Sequence, residues 1–126
     1  MQPINIVFAV LVYYLLGALW FGPLCGRAWA VSLGCDATPK FPMSYYVVPA
    51  VGSSLTTAVS AALLAIIGGG GLATGATVGL CVGVAAAATS MTNAFVPTIP
   101  RPFLFSAVTG GYHLLGATLG GLVLGF

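Results

Sequence analysis

Charge is what this chain has least of. Of its 126 residues only Arg27, Lys40, Arg101 and Asp36 carry a formal charge, 3% of the total, where a soluble domain carries about 25%. So few charges cannot cover a water-facing surface, and lipid is the solvent that the chain implies. Three basic residues make no basic stripe, which excludes a nucleic-acid partner. One acid and one histidine, Asp36 and His113, cannot build a hydrolytic Ser-His-Asp set from opposite ends of a span, and the expectation is a protein that is not an enzyme. Cysteine is scarce too. Cys25, Cys35 and Cys81 are odd in number and include no CxxC pair, so neither a zinc site nor a disulfide framework is indicated. Cys81 falls in mid-span and reads as a small apolar residue. The N-terminus lacks a positive leader region and a small-x-small cleavage site, so the first apolar segment is read as a retained span.

What is present is hydrophobic length. Apolar residues make up 60% of the chain and its mean hydropathy is +1.13. Four apolar segments stand out, at 4–21, 43–67, 72–96 and 102–126, each long enough for a helix of roughly 20 residues across a ~30 Å hydrocarbon core. Backbone groups cannot stay unpaired in lipid, which makes helix the default. The short alternation of a membrane barrel is missing. The expected fold is therefore an all-α integral membrane protein: a single domain over 1–126, with four transmembrane helices in a compact bundle. The one sizeable connection, GPLCGRAWAVSLGCDATPKFP, follows the first span. Its middle, RAWAVSLG, is either a short interfacial helix ended by Gly34 or an irregular loop; as a helix it would put Trp29 and Leu33 on one face. Arg27 and Lys40 lie between spans one and two, and Arg101 between spans three and four. With four spans these connections share a side, and the positive-inside rule makes it cytoplasmic, with both termini outside. Trp20 and Trp29 fall at that interface as aromatic anchors, beside the basic anchors Arg27, Lys40 and Arg101.

Small residues supply the pattern. Gly75, Gly79, Gly83 and Ala87 recur every four residues and stack on one helix face, where two backbones can approach closely. In span four Gly116 and Gly120 repeat the spacing, and Ser106, Gly110, His113, Ala117 and Gly120 follow one helical stripe. Two uses stay open for these faces: packing within the bundle, or contact with another subunit. Span two is rich in hydroxyls, Thr57 and Ser60 among them, and span three ends near Asn93, placed to brace the turn to Arg101. Such groups bond back to their own helix, bond across helices, or line a hydrated path. His113 lies near the middle of span four and points with the small residues into a helix contact. Tyr112, about 100° away on the helix, need not share that environment. Together His113, Tyr112, Asn93, Thr57 and Ser60 are the candidate polar or ligand residues. For His113 three roles compete: a structural bond to a neighbouring helix, an axial ligand to haem or a chlorophyll-type pigment with glycines leaving room for the macrocycle, or a proton relay.

Two stretches carry a family resemblance. GALWFGPLCGRAW (17–29) and TNAFVPTIPRPFLFSAVTGGYHLLGATLGGLVLG (92–125) resemble the opening and closing segments of the bacterial "domain of unknown function 1761" family. The most specific pieces are Leu19-Trp20-Phe21-Gly22-Pro23 and Tyr112-His113-Leu114. The first connection departs from the family pattern, being shorter and less charged. The resemblance implies a small four-span membrane protein and brings no catalytic residues with it. The expected function is a non-enzymatic membrane protein that assembles through its glycine-rich faces, as a homo-oligomer or as an accessory subunit of a larger complex in the bacterial inner membrane. The alternatives are a small transporter or channel lined by hydroxyls and His113, and a cofactor- or lipid-binding protein using His113.

Overall fold

The computed structural model describes residues 2–36 and 42–126; the Lys40 expectation falls outside them. The described residues form five helices and no strand: α1 (Pro3–Leu19), α2 (Gly26–Ser32), α3 (Ser44–Ile66), α4 (Gly71–Ala94) and α5 (Pro102–Leu124). The four long ones are apolar and long enough to cross a membrane, and they overlie the four apolar segments of the sequence. The protein is thus an all-α multi-pass membrane bundle, with a short helix between the first two spans.

Local chemistry sets the boundaries. Pro3 and Pro102 open α1 and α5, where the missing N–H costs nothing. The first span does not stop at Gly22-Pro23 as its sequence suggests. Pro23 cannot donate to the carbonyl four residues back, so the chain widens into a π-helical turn over Trp20–Leu24, in which the Cys25 N–H reaches five residues back to the Trp20 carbonyl at 2.7 Å. This turn delivers the chain into α2, resolving the first connection in favour of a helix. Gly34, at φ 76°, ends α2 with the left-handed conformation of a glycine cap, and the Cys35 N–H closes onto the Ala30 carbonyl at 2.9 Å. Between α3 and α4, Gly68 to Gly71 all have positive φ, a path that only glycine takes without strain.

The helices gather around α5, which touches each of the others, most extensively α4. One small apolar cluster joins Ala9 of α1, Ala61 and Leu64 of α3 and Leu124 of α5. At the opposite end the two connections bearing Arg27 and Arg101 meet: the Arg101 N–H donates to the Ser32 carbonyl at 3.3 Å. Both arginines are exposed and stand at the same end of the bundle.

Candidate functional site

The most polar feature of the interior lies where α1 crosses α5. Gly116 has no side chain, and the ring of Tyr13 occupies the space that a Cβ would take. Seated there, Tyr13 is 1% exposed. Its hydroxyl is 2.8 Å from Nδ1 of His113, which is half-buried. A phenol and an imidazole make a complementary pair, one group donating and the other accepting according to the histidine tautomer. In hydrocarbon this bond satisfies two groups that have no water to turn to.

Rings extend from this pair toward the basic end. Tyr112 packs against Tyr13 with centroids 5.2 Å apart, and its hydroxyl donates to the Tyr13 carbonyl at 3.4 Å. Phe21 follows at 5.1 Å from Tyr112, Trp29 at 5.5 Å from Phe21, and Tyr45 at 6.4 Å from Trp29. Tyr112 is buried in the same cluster as Tyr13. It shares the His113 environment, a point that its place on the helix left open: an aromatic side chain is long enough to reach α1 from the adjacent helix position. Trp20 has a partner on a second helix. Its indole N–H donates to the Val108 carbonyl of α5 at 2.8 Å, so it ties two helices together.

The glycine stripes are spent inside the molecule. A methyl group at Gly75 would collide with the Gly121 carbonyl, and one at Gly79 with the Ala117 carbonyl; one at Gly83 would lie 3.0 Å from the His113 carbonyl. Ala87 continues the face and lies against Gly110. Gly120 approaches the Ala9 carbonyl of α1. Around His113, Tyr13 packs over Gly116, Trp20 against Gly111 and Ala87 against Gly110. Among the described residues no cluster of His, Cys, Asp or Glu could hold a metal ion.

The remaining candidates divide. Thr57 and Ser60 face the bundle from α3, 3% and 2% exposed. Asn93 does not join them. It is exposed, ten positions or roughly 15 Å along α4 from the level of Gly83 and His113. The turn it was expected to brace is shaped by the Ile99 N–H on the Val96 carbonyl and by the Phe95–Phe103 ring contact at 5.1 Å. Tyr13 is the residue that sequence reasoning missed. Its signal was the run Ala9, Tyr13, Gly17, which puts a tyrosine among small residues on one helix stripe.

A family model described as "Protein of unknown function (DUF1761)" matches residues 4–125. The chain belongs to this family. The matched region contains both partners of the Tyr13–His113 pair. The two sequence pieces most specific to the family resemblance also meet in space, through Phe21 against Tyr112. No curated protein and no solved structure matches the chain.

Proposed function

We propose that this protein is a non-enzymatic subunit of the bacterial cytoplasmic membrane that works by assembling with other membrane helices, through the outer face of α4. The observation that carries this reading is a second stripe of small residues on that helix. Ala73, Thr77, Cys81, Ala85 and Thr89 recur every four residues and all are exposed, on the side turned away from α5. The Thr77 and Thr89 hydroxyls donate to the Ala73 and Ala85 carbonyls at 2.8 and 3.0 Å, so the stripe presents methyl groups and the Cys81 thiol. Such a surface admits a second backbone at close range, and packing of this kind drives helix association in lipid. The partner proposed is the same stripe on a second copy of the chain. An accessory role in a larger complex uses the same face with a different helix. Arg27 and Arg101 together at one end support a cytoplasmic placement of that end, with both termini outside. The small transporter or channel draws less support, because the hydroxyls of Ser53, Ser54, Thr56 and Ser60 all donate to carbonyls of their own helix.

Cys81 supplies the test, since a twofold contact along this stripe brings two copies of it together. Copper-phenanthroline oxidation of native membranes is expected to yield a dimer band that Cys81→Ser abolishes and that Cys25→Ser with Cys35→Ser leaves intact. A cross-link of Cys81 to a different protein would move the reading to the accessory role. A monomer by native mass spectrometry, with no cross-link, would overturn both.

A further inference from the structure

Polar side chains from three helices meet inside the bundle: His113 of α5, Tyr13 of α1 and Thr56 of α3. The Tyr13 hydroxyl lies 2.8 Å from His113 Nδ1 and makes a second side-chain hydrogen bond, to Thr56. Thr56 in turn donates to the Gly52 carbonyl one turn back at 2.9 Å, as Thr77, Thr89 and Thr92 donate back along α4. The ring nitrogen, the phenol oxygen, the threonine oxygen and the carbonyl form a line of three contacts.

Counting protons gives this line a direction. Each hydroxyl has one proton to donate. The Thr56 proton goes to Gly52, so between Thr56 and Tyr13 the threonine oxygen accepts and the phenol donates. The phenol then has no proton left for His113, and the 2.8 Å contact holds when Nδ1–H donates to the phenol oxygen. The opposite start, Tyr13 donating to Nδ1, leaves the Tyr13–Thr56 contact without a proton. With Thr56 on Gly52, three contacts and three protons match in one arrangement. A neutral imidazole with its proton on Nδ1 keeps a lone pair on Nε2. His113 is half-buried and no described residue bonds Nε2. Nor is Nε2 enclosed: among the described residues the one fully buried side-chain N or O atom left unpaired is Thr57 Oγ1.

We propose that the relay from Gly52 through Thr56 and Tyr13 holds His113 in its Nδ1–H tautomer and makes Nε2 a proton-binding site inside the bundle. The proton comes from water at a membrane face. The Nε2 lone pair takes it and the ring becomes an imidazolium. Nδ1–H, the Tyr13 hydroxyl and the Thr56 hydroxyl keep their protons and their bonds, so the relay receives the charge without turning round. The titratable groups that face the ring are both phenols: Tyr13 from α1 and Tyr112 from α5, whose ring centroid is 5.0 Å from that of His113. Helix α3 brings Thr56, and α4 brings its backbone at Gly83; neither titrates. Arg27, Asp36 and Arg101 lie in the segments between spans.

His113 is the only histidine, so histidine labelled at its ring nitrogens reports on this site alone. The test is nitrogen NMR of the full chain in phosphatidylethanolamine–phosphatidylglycerol nanodiscs, with the proton as the probe. In the neutral ring Nδ1 is expected to give a pyrrole-type resonance and Nε2 a pyridine-type one. Acidification from about pH 8 to 5, the range in which imidazole changes charge, is expected to convert Nε2 to the protonated type while the helical circular dichroism stays unchanged. Tyr13→Phe removes the acceptor of Nδ1–H, and Thr56→Val frees the phenol proton to turn to Nδ1. Both are expected to move the neutral ring to the Nε2–H tautomer, and Thr56→Ser to keep the wild-type pattern. A neutral wild-type ring with a pyridine-type Nδ1 overturns the proposal. So does a ring that stays neutral over the whole range in the folded protein. An Nδ1–H ring that survives both Tyr13→Phe and Thr56→Val overturns it too, because the tautomer would then owe nothing to the relay.

Discussion

Helix α4 carries two stripes of small residues on opposite sides, and the contrast between them separates two kinds of helix contact. The inner stripe is glycine at three positions, and each of those glycines faces a backbone carbonyl of α5. The outer stripe has the same four-residue spacing but a Cβ at every position: Ala73, Thr77, Cys81, Ala85 and Thr89. Spacing alone does not distinguish them. The presence or absence of a Cβ does, because only glycine admits a carbonyl of the facing helix where the side chain would begin. The glycines are therefore the mark of the tightest contact inside the chain, and the alanine, threonine and cysteine stripe is the face left for a looser one.

Breaking that contrast at its strongest point gives the largest effect expected. Gly79→Leu drives a four-carbon side chain into the Ala117 carbonyl, and the overpacking costs about 4 kcal/mol or more. The variant should lose its monodisperse peak on size-exclusion chromatography in detergent. A middle effect belongs to the α1–α5 contact. Tyr13→Phe removes one cross-helix bond and should cost roughly 0.6–1.7 kcal/mol in thermal unfolding, and a double-mutant cycle with His113→Ala should return a coupling of the same size. An additive cycle would mean that the 2.8 Å approach contributes no net energy. The smallest effect falls on the outer face. Cys81→Leu, two residues from Gly79, should leave the melting temperature of the monomer within about 0.5 kcal/mol equivalent of wild type while changing the oligomer distribution. Unfolding comparable to that of Gly79→Leu would show that the two faces are not distinct.

Much of this architecture is legible in the residues. Hydrophobic length specifies four spans because lipid leaves the backbone no alternative to helix, and the prolines at 3 and 102 mark helix starts through a rule of local sterics. The short helix after span one was legible only as one of two options, since Pro23 decides it through a π-turn whose geometry depends on where the displaced N–H groups can bond. The glycine stripe was visible, but its partner was not, because spacing fixes a face and says nothing of what meets it. The site was half legible. His113 stands out as the only histidine, whereas Tyr13 is one of five tyrosines and gains its place only when Gly116, about a hundred positions later, opens a notch for its ring. Asn93 shows the reverse: chemically costly in a membrane, it drew attention, and the helix resolves the problem by placing it at an exposed end.

The central position of α5 bears on how the protein is made. Every other helix touches α5, yet α5 is translated after all of them. Until α5 is made, the Gly75–Gly79–Gly83 face lacks the carbonyls that cover it and the Gly116 notch that seats Tyr13 is not yet built. Assembly is therefore gated by the arrival of a single late segment, which fits one groove to α4 and another to α1 in the same event. A nascent chain halted before residue 102 would expose both a close-approach glycine surface and an unpaired tyrosine to the lipid, a form that membrane quality control could distinguish from the finished bundle.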